Sequence, residues 1–111
     1  MTRDELKVVD DVPFLFWVKD KSERYIWGNQ RICELAGEDV VGKTDVQLAW
    51  AENAKALREA DQRVFSSGEP DYLLEHVVQS SLGEVNLSVC KWLADFEGEQ
   101  CCFGISFSIK K

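Results

Sequence analysis

The sequence predicts an α+β domain with a single antiparallel sheet, because its strand-like and helix-like stretches are segregated along the chain. Three observations carry this. PFLFWVKD and RYIWG are apolar runs separated by the polar Asp20 to Arg24, the spacing of a hairpin. Between Asn29 and Gly68 the apolar period lengthens to three and four, with capping residues before each run and glycines after two of them. Then DYLLEHVVQ, EVNLSVCKW and QCCFGISFSI follow one another with only SSLG and ADFEGE between, which predicts a three-stranded meander.

The opening residues place Leu6 and Val9 three apart, predicting an N-terminal cap over residues 1–12 with its helix at 2–11. Pro13 breaks it. In the first strand Phe14, Phe16 and Val18 alternate with Leu15 and Trp17, so both faces are apolar and both need cover. After the return strand, Asn29 is a helix N-cap for QRICELAG, whose Ile32, Leu35 and Ala36 share one face and which Gly37 closes. Thr44 and Gln47 have capping-box spacing, so a short helix should start at Asp45 with Val46 and Trp50 inward. A longer helix over 51–67 carries Ala54, Leu57, Ala60, Val64 and Phe65 on one stripe and ends at Gly68.

Composition sets the outer bounds. At 111 residues, 45% hydrophobic with two prolines, the chain makes one folded domain rather than two. Twenty acids against thirteen bases leave a net charge of -7, which argues against nucleic acid as a partner and against anionic lipid surfaces. No apolar run approaches the ~20 residues of a membrane span, and MTRDELKVVDD is unlike a signal peptide. Cys33, Cys90, Cys101 and Cys102 contain no CxxC pair and there is one histidine, so a zinc site is not expected. Adjacent Cys101 and Cys102 would point to opposite faces of a strand, which argues for packed, reduced thiols and a cytoplasmic compartment.

Four motifs in order then carry a resemblance to the PAS domains. Pro13 precedes Val18-Lys19-Asp20, Asn29 precedes Leu35 and Gly37, Gly42-Lys43-Thr44-Asp45 follows, and Asp61 precedes Val64, Gly68 and Pro70. The resemblance covers about residues 13 to 109. It implies a five-stranded sheet in spatial order 2-1-5-4-3 with three helices on one face, spanning 13–111 as a single PAS domain excised from a longer multidomain protein. It also implies a regulatory sensory module. Such a module binds an unidentified small molecule, or dimerises, to control a covalently attached output domain of diguanylate cyclase or histidine kinase type; the alternative is a ligandless dimerisation scaffold. Two departures stand out: the turn after Asp20 lacks the usual glycine, and the usual C-terminal Asp-Ile-Thr appears as Ser108-Ile109-Lys110.

Known cofactors of the family find no match. The flavin-photosensor run Asn-Cys-Arg-Phe-Leu-Gln is absent, its nearest counterpart being Asn29 to Cys33, and no histidine lies on the long helix where haem sensors place one. His76 alternates with Leu74 and Val78 on a strand and reads as a hydrogen-bonded structural residue. Flavin and haem are therefore disfavoured, the cofactor is unknown, and no catalytic residue or metal ligand is assigned.

Two faces of the last strands are distinguished by alternation: Val85, Leu87 and Val89 with Phe103, Ile105 and Phe107, against Asn86, Ser88 and Cys90 with Cys102, Gly104 and Ser106. Pattern alone buries the first set under the helices. Similarity to ligand-binding PAS domains instead implies that the smaller, more polar set faces the pocket. The expected pocket residues are Trp17, Ile32, Leu35, Trp50, Leu57, Asp61, Phe65, Leu74, His76, Ser88, Cys90 and Ser106. Asp61 reads as a buried carboxylate bonded to loop amides near Gly42 to Thr44. Leu6, Val9, Val89, Phe103, Ile105 and Phe107 are expected to form a homodimer face.

Overall fold

The computed structural model describes residues 1–109; Lys110, and with it the end of the Ser108-Ile109-Lys110 segment, lies outside the described residues. Its element order is α1 (Arg3–Leu6), β1 (Leu15–Lys19), β2 (Tyr25–Gly28), α2 (Gln30–Ala36), α3 (Ala54–Ser67), β3 (Asp71–Val77), β4 (Val85–Phe96) and β5 (Glu99–Ser108). Three-ten turns occupy Lys7–Val9, Asp45–Gln47 and Ala51–Asn53. The five strands form one antiparallel sheet in the order β2-β1-β5-β4-β3, as expected. The central strand is thus the last in sequence. Chain ends far apart in sequence meet in β1 and β5, whose pairing sets Trp17 opposite Gly104 and Val18 opposite Phe103.

Every residue of β1 is buried, which is what two apolar faces on one strand require. Its inner face, with Leu15 and Trp17, packs under α2, α3 and the turns between them. On the outer face Phe16 and Val18 meet Leu6, Phe96, Cys101 and Phe103. The N-terminal segment is held on that outer face by a capping box at α1, where Thr2 and Glu5 bond reciprocally, and by Arg3, which donates to the Ile26 carbonyl at 2.8 Å.

Asn29 joins these layers. It is fully buried, and Oδ1 accepts from the amides of Ile32 and Phe16, each at 3.2 Å, while Nδ2 donates to the carbonyls of Val9 at 3.0 Å and Phe14 at 2.9 Å. All four side-chain bonds of an amide are made. The residue that closes the opening polar-aromatic stretch is therefore more than an N-cap for α2. It also fastens the N-terminal segment to β1.

The hairpin between β4 and β5 corrects one expectation. ADFEGE is not a loop: β4 runs through Phe96, and only Glu97 and Gly98 turn the chain, both with positive φ (49° and 90°) as a two-residue hairpin of the primed type demands. That turn fixes a register in which Val89 faces Ser106 and Trp92 faces Phe103. Large inner residues of β4 therefore stand beside small ones of β5, and the two large sets of the sequence reading lie on opposite faces of the sheet. A one-residue change of phase exchanges faces. In this register Leu87, Val89 and Lys91 point inward and Ser88 and Cys90 outward, while Phe103, Ile105 and Phe107 are outward and Cys102, Gly104 and Ser106 inward.

Candidate functional site

The inner side of the sheet and its helical cover enclose a cavity of about 30 Å³, room for one or two water molecules. Its walls are Leu15, Trp17, Ile32, Leu35, Trp50, Leu57, Val77 and Leu87, with Lys19, Tyr25, Glu75 and Lys91 forming a polar end. Trp17 takes its place because Gly104 sits across from it on β5. A Cβ at that position would come within 2.3 Å of the indole ring.

The polar end is a buried ionic network that gathers one group from each of five segments. Lys19 on β1 places Nζ 2.5 Å from Asp45 Oδ2 and 2.5 Å from Asp61 Oδ2. Lys91 on β4 donates to the other oxygen of Asp61 at 2.9 Å. Asp45, at the start of its three-ten turn, also accepts from the Tyr25 hydroxyl at 2.7 Å and the Trp50 indole at 2.9 Å. Glu75 on β3 lies 3.5 Å from Lys91, and its Oε2, shielded from solvent, has no hydrogen-bond partner among the described residues. Lys19, Lys91 and Asp61 are each at most 2% exposed.

Charges this deep are tolerable only when paired. Burial alone would lower the Lys19 ammonium, but Asp61 and Asp45 override it and hold its pKa above the ordinary lysine value. Asp45 shows the mirror effect: burial pushes it up, and the contacts with Lys19, Trp50 and Tyr25 bring it below the usual carboxylate range. Tyr25 is pushed well above its normal value by burial and by the neighbouring Asp45 charge. Glu75 is raised, mainly by burial, with Lys91 only partly opposing. The thiol of Cys102 is pushed up to about 12 by burial and Asp61, so it is an inert packing group at neutral pH.

The structure brings together Trp17, Ile32, Leu35, Trp50 and Leu57 on the cavity wall. Asp61 is at its polar end, but bonded to Lys19 and Lys91 rather than to loop amides. Ser106 faces inward beside Val89, fully buried, its hydroxyl without a partner among the described residues. The remaining expected pocket residues lie elsewhere. Leu74 and His76 are on the outer face, Leu74 76% exposed and His76 paired with Glu84 at 2.9 Å; Leu73, Glu75 and Val77 take the inner positions of β3. Ser88 and Cys90 follow them outward by the register of β3 against β4. Phe65 is half-buried at the rim near Lys21 and Gln100, away from the cavity. Val46 is 66% exposed, and the inward residue of its turn is Asp45.

The expected dimer face is also redrawn. Val89 belongs to the inner core. Leu6 and Phe103 are fully buried against each other's neighbours, with Val9 packed alongside, so these three serve the chain's own core rather than a partner. Phe107 remains 48% exposed and Ile105 half-buried. Of the cysteines, all free, only Cys101 and Cys102 are buried, on opposite faces as adjacent strand residues must be, while Cys33 and Cys90 are half-exposed. Among the described residues no helix is long and apolar enough to cross a membrane, and no cluster of three metal-ligating side chains occurs.

Comparison with known proteins places this geometry. A family model described as PAS fold matches residues 9–104. No curated protein sequence matches the chain. Among solved structures, VqmA bound to DPO superposes with a TM-score of 0.82 at 20% identity, covering 97% of this chain and 58% of that one. A Vibrio cholerae VqmA complex with ligand and DNA gives 0.82 at 20% identity over 97% of this chain and 51% of the other. The PAS domain of an HTR-like protein from Haloarcula marismortui gives 0.73 at 21% identity, over 96% and 90%. The chain thus spans little more than half the length of the VqmA chains. These matches overturn the exclusion of nucleic acid as a partner. VqmA, which contains this fold, is bound to DNA, so the charge of -7 on one segment does not decide what a longer protein built on it can bind.

Proposed function

The chain belongs to the PAS-fold family, and from that premise we propose that it is a sensory module whose inner cavity receives a small molecule and passes its occupancy to an attached output domain. One observation carries the reading: an apolar cavity ends on a buried ionic network in which Glu75 retains an unbonded carboxylate oxygen. Buried polar atoms are as a rule paired, so an unbonded carboxylate oxygen at the end of the cavity offers an acceptor to a guest. The walls supply apolar burial and the polar end supplies orientation, the usual division of labour in a ligand site. The cytoplasm is the compartment that suits four free thiols. The output is a diguanylate cyclase or histidine kinase, or a DNA-binding domain as in VqmA. The decisive experiment is native mass spectrometry of freshly purified protein, followed by a thermal-shift screen of a metabolite library. A retained or stabilising compound supports sensing by mass action; a chain that is empty and unresponsive to the library refutes it.

Dimerisation is a second reading with its own observation. On the outer face Tyr72 and Leu74 are 75% and 76% exposed, and with Phe107 they flank Ser88 of β4 in a largely apolar patch that the N-terminal segment leaves uncovered. Leu74→Glu should convert a dimer to a monomer in light scattering without loss of thermal stability; an unchanged mass eliminates this patch as an interface.

A further inference from the structure

Two groups on the cavity wall keep hydrogen-bonding capacity that no described residue fills. Lys91 is 1% exposed and carries three ammonium hydrogens, yet its Nζ makes one hydrogen bond, to Asp61 Oδ1 at 2.9 Å. Glu75 Oε2 stands 3.5 Å from that nitrogen, near enough for attraction but without a hydrogen bond. A donor and an acceptor thus sit side by side, next to Lys19 and Tyr25 at the polar end of a space whose other walls include Trp17, Trp50, Ile32 and Leu57.

Resting on the reading that this cavity receives a small molecule, we propose that its ligand is a neutral compound with an apolar body and an amide-type edge, as in a primary amide, a urea or a lactam. The carbonyl oxygen accepts from Lys91 Nζ, and the adjacent N–H donates to Glu75 Oε2. Charge and hydrogen-bonding capacity together select against the alternatives. A carboxylate ligand would add a negative charge beside three carboxylates, Asp45, Asp61 and Glu75, and has no donor for Glu75, while an ammonium has no acceptor to offer Lys91. A hydrocarbon would leave both wall groups unpaired, at the cost that accompanies any buried unsatisfied polar atom. A neutral edge presenting an acceptor beside a donor pairs both groups and leaves the Lys19, Asp45 and Asp61 contacts in place. At about 30 Å³ the cavity must widen to take a ring. The part of the wall free of the ionic network is the three-ten turn at Ala51–Asn53, which follows Trp50 and lacks the stronger hydrogen-bond ladder of an α-helix.

The test uses 2-pyridone, N-methyl-2-pyridone and benzene as probes, with affinities from ligand-observed NMR and thermal shift. The expected result is that 2-pyridone binds at least tenfold more tightly than its N-methyl analogue, roughly the loss of one hydrogen bond to a charged acceptor. Glu75→Met should reduce 2-pyridone affinity about tenfold or more without weakening benzene binding. Equal binding of 2-pyridone and its N-methyl analogue, or no effect of Glu75→Met, overturns the proposal while the sensing reading stands. If benzene alone binds, the same conclusion follows. If none of the three binds at millimolar concentration, this proposal falls, and the sensing reading is decided by the native mass spectrometry and library screen. Should Glu75→Met not fold, the comparison of the two pyridones on the native chain decides the matter alone.

Discussion

Replacing Lys19 with methionine isolates the energetics of the buried network. The substitution keeps the apolar stem of the side chain and removes an ammonium that lies 2.5 Å from Asp45 and 2.5 Å from Asp61. Asp61 retains Lys91 at 2.9 Å, but Asp45 is left with only the neutral donors Tyr25 and Trp50. Breaking a buried pair from one side costs about 3–5 kcal/mol. A domain of this size has roughly 5–15 kcal/mol in total, and its melting temperature should fall by roughly 12–20 °C, at about 4 °C per kcal/mol. Urea denaturation with an unchanged slope is the assay. The pH dependence supplies a second handle. Asp45 has a depressed folded pKa, so its contribution is present above the ordinary value of 3.8 and is lost as pH falls through the folded one. Lys19 has a raised one, so its contribution is present below 10.5 and is lost as pH rises through the folded value. The penalty of Lys19→Met should therefore be full at neutral pH and shrink in acid, where Asp45 takes up a proton. Adding Asp45→Asn should recover part of it, since the variant then buries one uncompensated charge fewer. A loss under about 1 kcal/mol, or no recovery in the double variant, would refute the view that these charges are paired out of solvent.

Other substitutions probe separate features. Glu75→Gln should stabilise the chain at pH 7 and be neutral at pH 4 and below: with a folded pKa above its ordinary 4.5, the native carboxyl loses stability as pH rises through that value, and denaturation at the two pH values checks this. Asn29→Asp replaces a donor of two bonds with an oxygen facing the Val9 and Phe14 carbonyls, and should cost about 3 kcal/mol or more in urea denaturation. Gly104→Ala forces a Cβ to 2.3 Å from the Trp17 ring; it should cost about 1–3 kcal/mol and shift the tryptophan emission.

How much of this was legible beforehand depended on whether a side chain followed the ordinary rule of polar outside and apolar inside. The order of strands and helices, the cap at Asn29 and the stops at Gly37 and Gly68 could be read because local chemistry alone dictates them. The cavity wall contributed by β1 and the helices could be read for the same reason. On β4 alternation did place Val85, Leu87 and Val89 under the helices as found, and the analogy with ligand-binding PAS domains reversed it; on β3 the rule itself fails, since Glu75 points inward and Leu74 outward. Alternation also could not say that the large residues of β5 lie on the opposite face from those of β4, because the two-residue turn at Glu97 and Gly98 sets that register. The clue was in the motifs: Lys19, Asp45 and Asp61, from three separate signature segments, converge on one another through contacts under 3 Å. Lys91 and Glu75 belong to none of those segments, so their partnership became visible only in three dimensions.

The inner row of the middle strand, Cys102, Gly104 and Ser106, is flanked by Trp17 and Lys19 on one side and by Val89 and Lys91 on the other. The sheet is thus a trough with a shallow floor and tall banks. Its capacity is governed by the banks and by the lid of helices and turns, because the floor residues are already small. Related chains could therefore come to hold guests of different size by altering β1, β4 or the lid, while the middle strand keeps its small residues for the sake of the indole lying across it.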